Sequence, residues 1–175
     1  MRNFSIVYFS MKGQTIGPGM KIRVQEVGNT ALAAGYIHDA LGGSMFELVP
    51  DKEYSSDHME LIKEAKEELR AGRRVPLRGL PDFDGVDTVI LGYPNWWGHL
   101  PMPVVTFLES RRWDGMRIMP FCSNEGSGLS DTVDDIRKYA DGAEVMPGLA
   151  VTGSRTELHK DAIIAWARKG LEESL

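Results

Sequence analysis

DTVILGYPNWWGHLPMPVVTFLES, residues 87–110, reads as strand, loop and helix in immediate succession. Thr88 to Leu91 is a near-continuous apolar run, the pattern of a strand covered on both faces. "MPVVTFLES" reads as a short helix, with Pro101 and Pro103 near its start, where a missing N–H costs little. A strand feeding a helix through a short loop is the repeating unit of a parallel sheet. The loop itself is unusual, because Trp96 and Trp97 stand side by side between Asn95 and Gly98.

The same alternation extends in both directions. "FSIVYF" (residues 4–9) is a compact apolar run that predicts a first buried strand. From Thr30, "TALAAGYIHDALGG" places Ala33, Ile37 and Leu41 on one helical face before the stop at Gly42 and Gly43. "SMFELV" is a second strand. A helix follows, with Ser56 or Asp57 as its cap and Leu61, Ile62, Ala65 and Leu69 as its buried side. Beyond the tryptophan loop come a fourth strand, "MRIMPF", and a helix with Ser130 as the expected cap and Val133, Ile136 and Tyr139 along one side. "EVMPGLAV" predicts a fifth strand, interrupted or widened near Pro147 and Gly148. The last helix is expected to pack through Leu158, Ile163 and Trp166. Strands and helices alternate five times, so the fold class is α/β: a three-layer, doubly wound domain with right-handed crossovers. No linker divides residues 1–175, which read as a single domain.

Composition narrows the function classes. The chain has 175 residues, 42% hydrophobic and 26% charged, with a formal net charge of -5. That balance is ordinary for a folded domain and argues against a nucleic-acid partner, which calls for a concentrated basic surface. Cys122 is the single cysteine, so there is no intrachain disulfide and no cysteine-rich metal cluster. The four histidines show no metal-ligand spacing, no pair of acids marks hydrolase chemistry, and neither catalytic residues nor a metal site is assigned. "MRNFSIVYFS" has too short an apolar run for an ordinary signal peptide, and no stretch approaches a membrane span. The chain reads as cytoplasmic; the alternative is a mature fragment whose targeting segment has been removed.

Ligands of such sheets bind beyond the carboxyl ends of the strands, where the topology switches. Three exits there carry specialised sequence. After the first strand, Ser10, Gly28, Asn29 and Thr30 combine small residues, hydroxyls and the unpaired N–H groups of a helix start, which suits an anion; Asn29 or Thr30 as a plain helix cap is the alternative. After the third strand, Pro94, Asn95, Trp96, Trp97 and Gly98 offer flat surfaces for a planar ring, with one indole expected to face ligand and the other to pack inward. After the fourth, Ser123, Asn124, Glu125, Gly126, Ser127 and Gly128 supply backbone donors and short polar side chains for the ring's edge. His99 lies at the same rim as a candidate polar contact, whereas Cys122 reads as a buried, unreactive thiol. The first exit matches neither the glycine-lysine nucleotide loop nor the three-glycine dinucleotide fingerprint.

"IVYFS", "VGNT", "GYPNWWGHLPMPVVTFLE" and "MPFCSNEGSG" together resemble the flavodoxin-like family, in particular a bacterial branch, over almost the whole chain. The resemblance implies a five-stranded parallel sheet in the order 2-1-3-4-5 with FMN at the rim between strands one and three; flavodoxin is a standing example of that placement. It implies that Ser10, Gly28, Asn29 and Thr30 hold the FMN phosphate. Residues 94–98 would stack against and edge the isoalloxazine, and residues 123–128 would complete the ring pocket. The implied function is electron transfer by reversible reduction of FMN, with a redox partner protein. A small NAD(P)H-dependent quinone or flavin reductase is the alternative within that reading, and a flavin-free interaction module is the rival outside it. Oligomeric state is left open.

The departure from the family lies at residues 11–27. Gly13-Gln14-Thr15 and Gly28-Asn29-Thr30 both look like strand exits, but Gly17, Pro18 and Gly19 forbid a helix after the first. The helix therefore starts at the second, and the stretch between predicts a turn and a short strand, "MKIRV". It reads as a flap over the flavin, a docking surface, a self-association element or a surface insertion without chemical role.

Overall fold

The computed structural model describes residues 1–173. Its main sheet is parallel and follows the order β4 (Ser44–Glu47), β1 (Phe4–Tyr8), β5 (Thr88–Pro94), β6 (Arg117–Asn124), with β7 (Glu144–Val145) and β8 (Leu149–Thr152) both paired to β6 on the far edge. Taken together, β7 and β8 are the predicted fifth strand, and the expected order 2-1-3-4-5 stands, refined to six strand segments. The register moves from Ile118↔Val145 to Phe121↔Leu149, so the edge strand spends one residue more than β6 across the gap. Pro147 and Gly148 occupy that gap.

Apolar runs become two-sided strands because successive side chains point to opposite faces. On β5, Val89, Leu91 and Tyr93 enter one core layer and Ile90 the other. Helices α1 (Asn29–Leu41) and α5 (Lys160–Glu172) cover one face, packing Ala33, Ala34, Ile37, Ile163, Ala167 and Leu171 against Phe4, Ile6 and Phe121. Helices α2 (His58–Ala71), α3 (Met102–Glu109) and α4 (Thr132–Tyr139) lie over the other, with Val104, Phe107, Leu108 and Ile136 buried there. Asp57 caps α2, accepting the Glu60 amide at 3.0 Å, and Gly72 ends it in the left-handed conformation.

Two local expectations are corrected. Ser130 does not cap α4: its φ is 47°, its hydroxyl donates back to the Ser127 carbonyl, and Asp131 precedes the helix without a side-chain cap. Leu158 does not pack inward; it falls in a 3-10 stretch, Gly153–His159, ahead of α5 and is 80% exposed.

The segment after β1 forms a separate antiparallel hairpin, β2 (Gly13–Ile16) and β3 (Ile22–Gln25), joined by a single 3-10 turn. It docks on the start of α2: the Gln14 amide donates to the Ser56 carbonyl at 3.1 Å, and the His58 amide donates to Gln14 Oε1 at 3.0 Å. Among the described residues no helix is long and apolar enough to cross a membrane.

Candidate functional site

The chain re-enters the sheet's rim at Gly28, whose close approach to β1's exit only glycine permits. Its backbone (φ −66°, ψ 154°) suits any residue, but a Cβ there would stand 2.2 Å from Ser10 Oγ and 2.3 Å from the Met11 carbonyl oxygen. As N-cap of α1, Gly28 brings no side chain to the first turn, so the Asn29 and Thr30 amides have no cap. Ser10 Oγ accepts the Ala31 amide at 3.1 Å, which leaves the hydroxyl's own proton free to donate. The Thr30 hydroxyl is buried and shares a 2.7 Å hydrogen bond with Ser123 Oγ, tying the helix start to the end of β6.

The tryptophan loop is a two-residue reversal. Trp96 and His99 exchange both backbone hydrogen bonds, at 3.2 and 3.1 Å, and Trp97 and Gly98 between them have φ of 59° and 82°. Two consecutive positive φ values define a type I′ turn, which favours glycine at the second central position. Asn95 braces it, accepting the Gly98 amide through Oδ1 and donating through Nδ2 to the Gly128 carbonyl and Ser130 Oγ. The turn sends the two indoles apart. Trp96 meets Phe9 and Tyr54 edge-on, with centroids 5.2 and 5.3 Å away, and keeps a surface on the cavity. Trp97 lies outside the cavity on α2, 47% exposed, its Nε1 donating to the Ile62 carbonyl and Lys66 over its ring. The two indoles do part as expected, but the one away from the cavity lies on the surface instead of in the core.

The loop after β6 is organised by its own side chains. Asn124 Oδ1 accepts the Gly126 and Gly128 amides at 2.9 and 3.0 Å, and its Nδ2 donates to the Val151 carbonyl. Glu125 accepts both the amide and the hydroxyl of Ser154. His99 is drawn away from the rim by Asp135, whose Oδ2 lies 3.0 Å from Nδ1 and also accepts the Leu100 amide. Asp135 thereby ties α4 to the tryptophan loop. Burial pushes the Cys122 thiol up to about 12, so no thiolate is present at neutral pH. Iodoacetamide at pH 8 is expected to leave the folded protein unlabelled and to label it in denaturant; labelling of the folded chain would contradict that burial.

These elements enclose a cavity of about 320 Å³ beyond β1, β5 and β6. Ser10, Asn29, Thr30, Pro94, Asn95, Trp96, Ser123, Asn124, Glu125 and Ser127 line it, while Gly28, Trp97, Gly98, Gly126 and Gly128 belong to the same loops without lining it. Sequence reasoning offered the hairpin as a flap over the site without naming the residues that line it, Gln14, Thr15, Ile16 and Gln25, and it missed His58, Leu61 and Ile62 from α2. The extra segment was the signal for the first group. The second had none, because Leu61 and Ile62 read as ordinary core positions. The site's features fit FMN: an uncapped helix start with hydroxyls at one end, an indole wall at the other, and amide side chains between them. No metal-holding group of three or more His, Cys, Asp or Glu occurs among the described residues.

Comparisons with known proteins agree with this architecture. No curated protein matches the chain. Among solved structures, a protein from Bacteroides eggerthii superposes with a TM-score of 0.72 at 22% identity, covering 97% of this chain and 98% of that one. A flavoprotein in complex with FMN from Lactobacillus acidophilus gives 0.63 at 18% identity, over 90% and 98% of the two chains. Oxidised flavodoxin 2 from Bacillus cereus gives 0.51 at 20%, over 95% and 99%. At these identities the likeness is one of fold. The flavodoxin family model matches residues 24–169, most of the chain, and the chain belongs to the flavodoxin family.

Proposed function

We propose that residues 1–175 form one FMN-binding domain that carries electrons, with the cofactor in the cavity beyond β1, β5 and β6. The observation that carries this reading is the meeting, in one cavity at the sheet's switch point, of an uncapped helix start and an indole wall. When bound, FMN supplies the reversible redox chemistry, and the protein supplies binding, orientation and electrostatics. The Asn29 and Thr30 amides and the Ser10 hydroxyl hold the phosphate, with Gly28 allowing the close approach. Trp96, Pro94 and Asn95 flank the ring, and Ser123 to Gly128 border its polar edge. Trp97 and Gly98 set the turn that presents Trp96. Glu125 is the one carboxylate lining the cavity among the described residues, and a nearby negative charge disfavours added electron density on the ring.

The protein purified without added flavin is expected to show a flavin visible spectrum, or to quench flavin fluorescence when titrated with FMN. A colourless protein that leaves the fluorescence unchanged would remove the basis of the reading. No lysine or arginine lines this cavity among the described residues, and Lys12, in the neighbouring space beyond Ser10 and Gly28, is exposed to solvent, so the donors in direct reach of the phosphate are neutral. FMN affinity is therefore expected to change by less than about threefold between low and high salt, since there is little cation–phosphate attraction to screen. A tenfold loss measured by fluorescence titration would point to a cation at the phosphate.

The hairpin favours a second reading. Its residues line the outer side of the cavity, where they limit approach by a bulky protein more than by a small donor. That arrangement suits an NAD(P)H-dependent quinone or flavin reductase. Oxidation of NAD(P)H with a quinone acceptor separates the two: negligible turnover by the FMN-loaded protein, together with rapid reduction by a partner reductase, identifies the carrier. In the carrier reading a redox partner protein in the cytoplasm exchanges the electrons.

A further inference from the structure

The inner face of α2 carries a carboxylate where its periodicity calls for an apolar residue. Glu68 is 1% exposed; its Oε1 accepts Lys52 Nζ at 2.6 Å and its Oε2 accepts the Tyr54 hydroxyl at 2.7 Å. Lys52 also donates to Glu64 and sits 4.6 Å from the centroid of the Tyr54 ring. Only Glu68 is fully buried, since Lys52 keeps 28% of its side chain exposed, and a carboxylate taken out of water is a poor source of stability compared with a well-packed apolar side chain. A positioning role accounts for it better.

The Tyr54 ring shows what is positioned. It meets Trp96 at an interplanar angle of 77°, and Phe9 meets the same indole at 88°. Phe9 and Tyr54 also meet each other edge-on, with centroids 6.2 Å apart, so the three rings form one edge-to-face triad that fixes the indole's tilt, and Trp96 is the aromatic wall of the cavity. Phe9 is held by the core. Tyr54 is only partly buried, and its hydroxyl bond to Glu68 fixes the ring that Trp96 leans on.

We propose that Lys52, Glu64 and Glu68 lock Tyr54, and through it Trp96, in one orientation, which makes Tyr54 and Glu68 positioning residues for the aromatic ring that packs on that wall. The proposal rests on the FMN reading for the identity of that ring. The protonation states agree with it. Burial raises the Tyr54 phenol, helped by its bond to Glu68, so it keeps its proton. Burial alone would lower the Lys52 ammonium, but its bonds to Glu64 and Glu68 outweigh that and raise it.

The test compares Tyr54→Phe and Glu68→Gln with Leu171→Ala, a control truncation in the opposite core layer where Leu171 is 1% exposed. FMN titration gives the affinity. Near-UV circular dichroism of the flavin-free protein, taken as the difference between each chain and the same chain carrying Trp96→Phe, isolates the indole's contribution. Tyr54→Phe and Glu68→Gln are expected to weaken FMN binding about tenfold and to diminish the Trp96 signal. Leu171→Ala is expected to lower Tm with neither change. If Tyr54→Phe and Glu68→Gln only lower Tm, leaving affinity and the Trp96 signal intact, the positioning role is overturned. If the wild type binds no FMN, the functional reading fails, and the dichroism of the flavin-free protein still decides whether Tyr54 and Glu68 orient Trp96.

Discussion

Gly28→Ala is expected to weaken FMN binding about a hundredfold, roughly 2.7 kcal/mol, while leaving riboflavin affinity within about threefold. The new methyl group would occupy space that Ser10 Oγ and the Met11 carbonyl now fill, at 2.2 and 2.3 Å. Neither neighbour is the flexible end of a long side chain. Ser10 must leave the Ala31 amide, or the turn must lift off β1, and either movement displaces the donors at the start of α1. Backbone strain plays no part, since the conformation of Gly28 suits alanine. The fold is expected to survive with a loss of about 1–3 kcal/mol, the usual range for overpacking. Riboflavin has the ring but no phosphate, so the ratio of the two dissociation constants reports the phosphate end alone. Equal losses for both ligands would show that the first turn of α1 does not hold the phosphate.

The second large effect separates the tryptophans. Trp96→Leu is expected to weaken FMN and riboflavin alike, by about a hundredfold, and to restore much of the flavin fluorescence that the indole quenches. Leucine keeps apolar bulk against Phe9 and Tyr54 but removes the flat wall. Trp97→Leu is expected to change either affinity by less than about threefold, because it removes one exposed hydrogen bond and a surface cation–π contact, each worth about 1 kcal/mol or less. The mirror result, with Trp97 dominant, would mean that the turn reverses when flavin binds.

Why the sequence left the tryptophans undecided is a matter of one turn. The residues "NWWG" announce two large rings beside a glycine, but which ring faces the cavity depends on two consecutive positive φ values, and tryptophan gives no hint that it will adopt one. The sheet was easier to read. Its central strands β1, β5 and β6 are buried along nearly their whole length, and such apolar runs are legible without the rest of the structure. The start of α1 was legible for a similar reason, since Gly17, Pro18 and Gly19 exclude the earlier candidate. Ser130 misled because a serine before a helical pattern is the ordinary cap signal, while here its hydroxyl serves the bend from Ser127. The polar residues of the third loop were read as ligand contacts. Asn124 and Glu125 do line the cavity, but much of their hydrogen bonding holds loops together, a division of labour that composition does not reveal.

The gap between β7 and β8 has a consequence for how the protein opens. Pro120 on β6 has no N–H to give, and it lies between the two positions, Ile118 and Phe121, where the edge segments engage. The sheet margin is therefore fastened at two separate points with a slack length between them. Met146 donates across to the Ile118 carbonyl, and Leu149 begins the second attachment. The short β7 attachment can release by itself while β8 stays fastened next to the loop after β6, so a loosened margin on that side need not disturb the cavity. Amide exchange should follow that division, fast for Glu144 and Val145 and slow for Val151, two protection classes within one nominal strand.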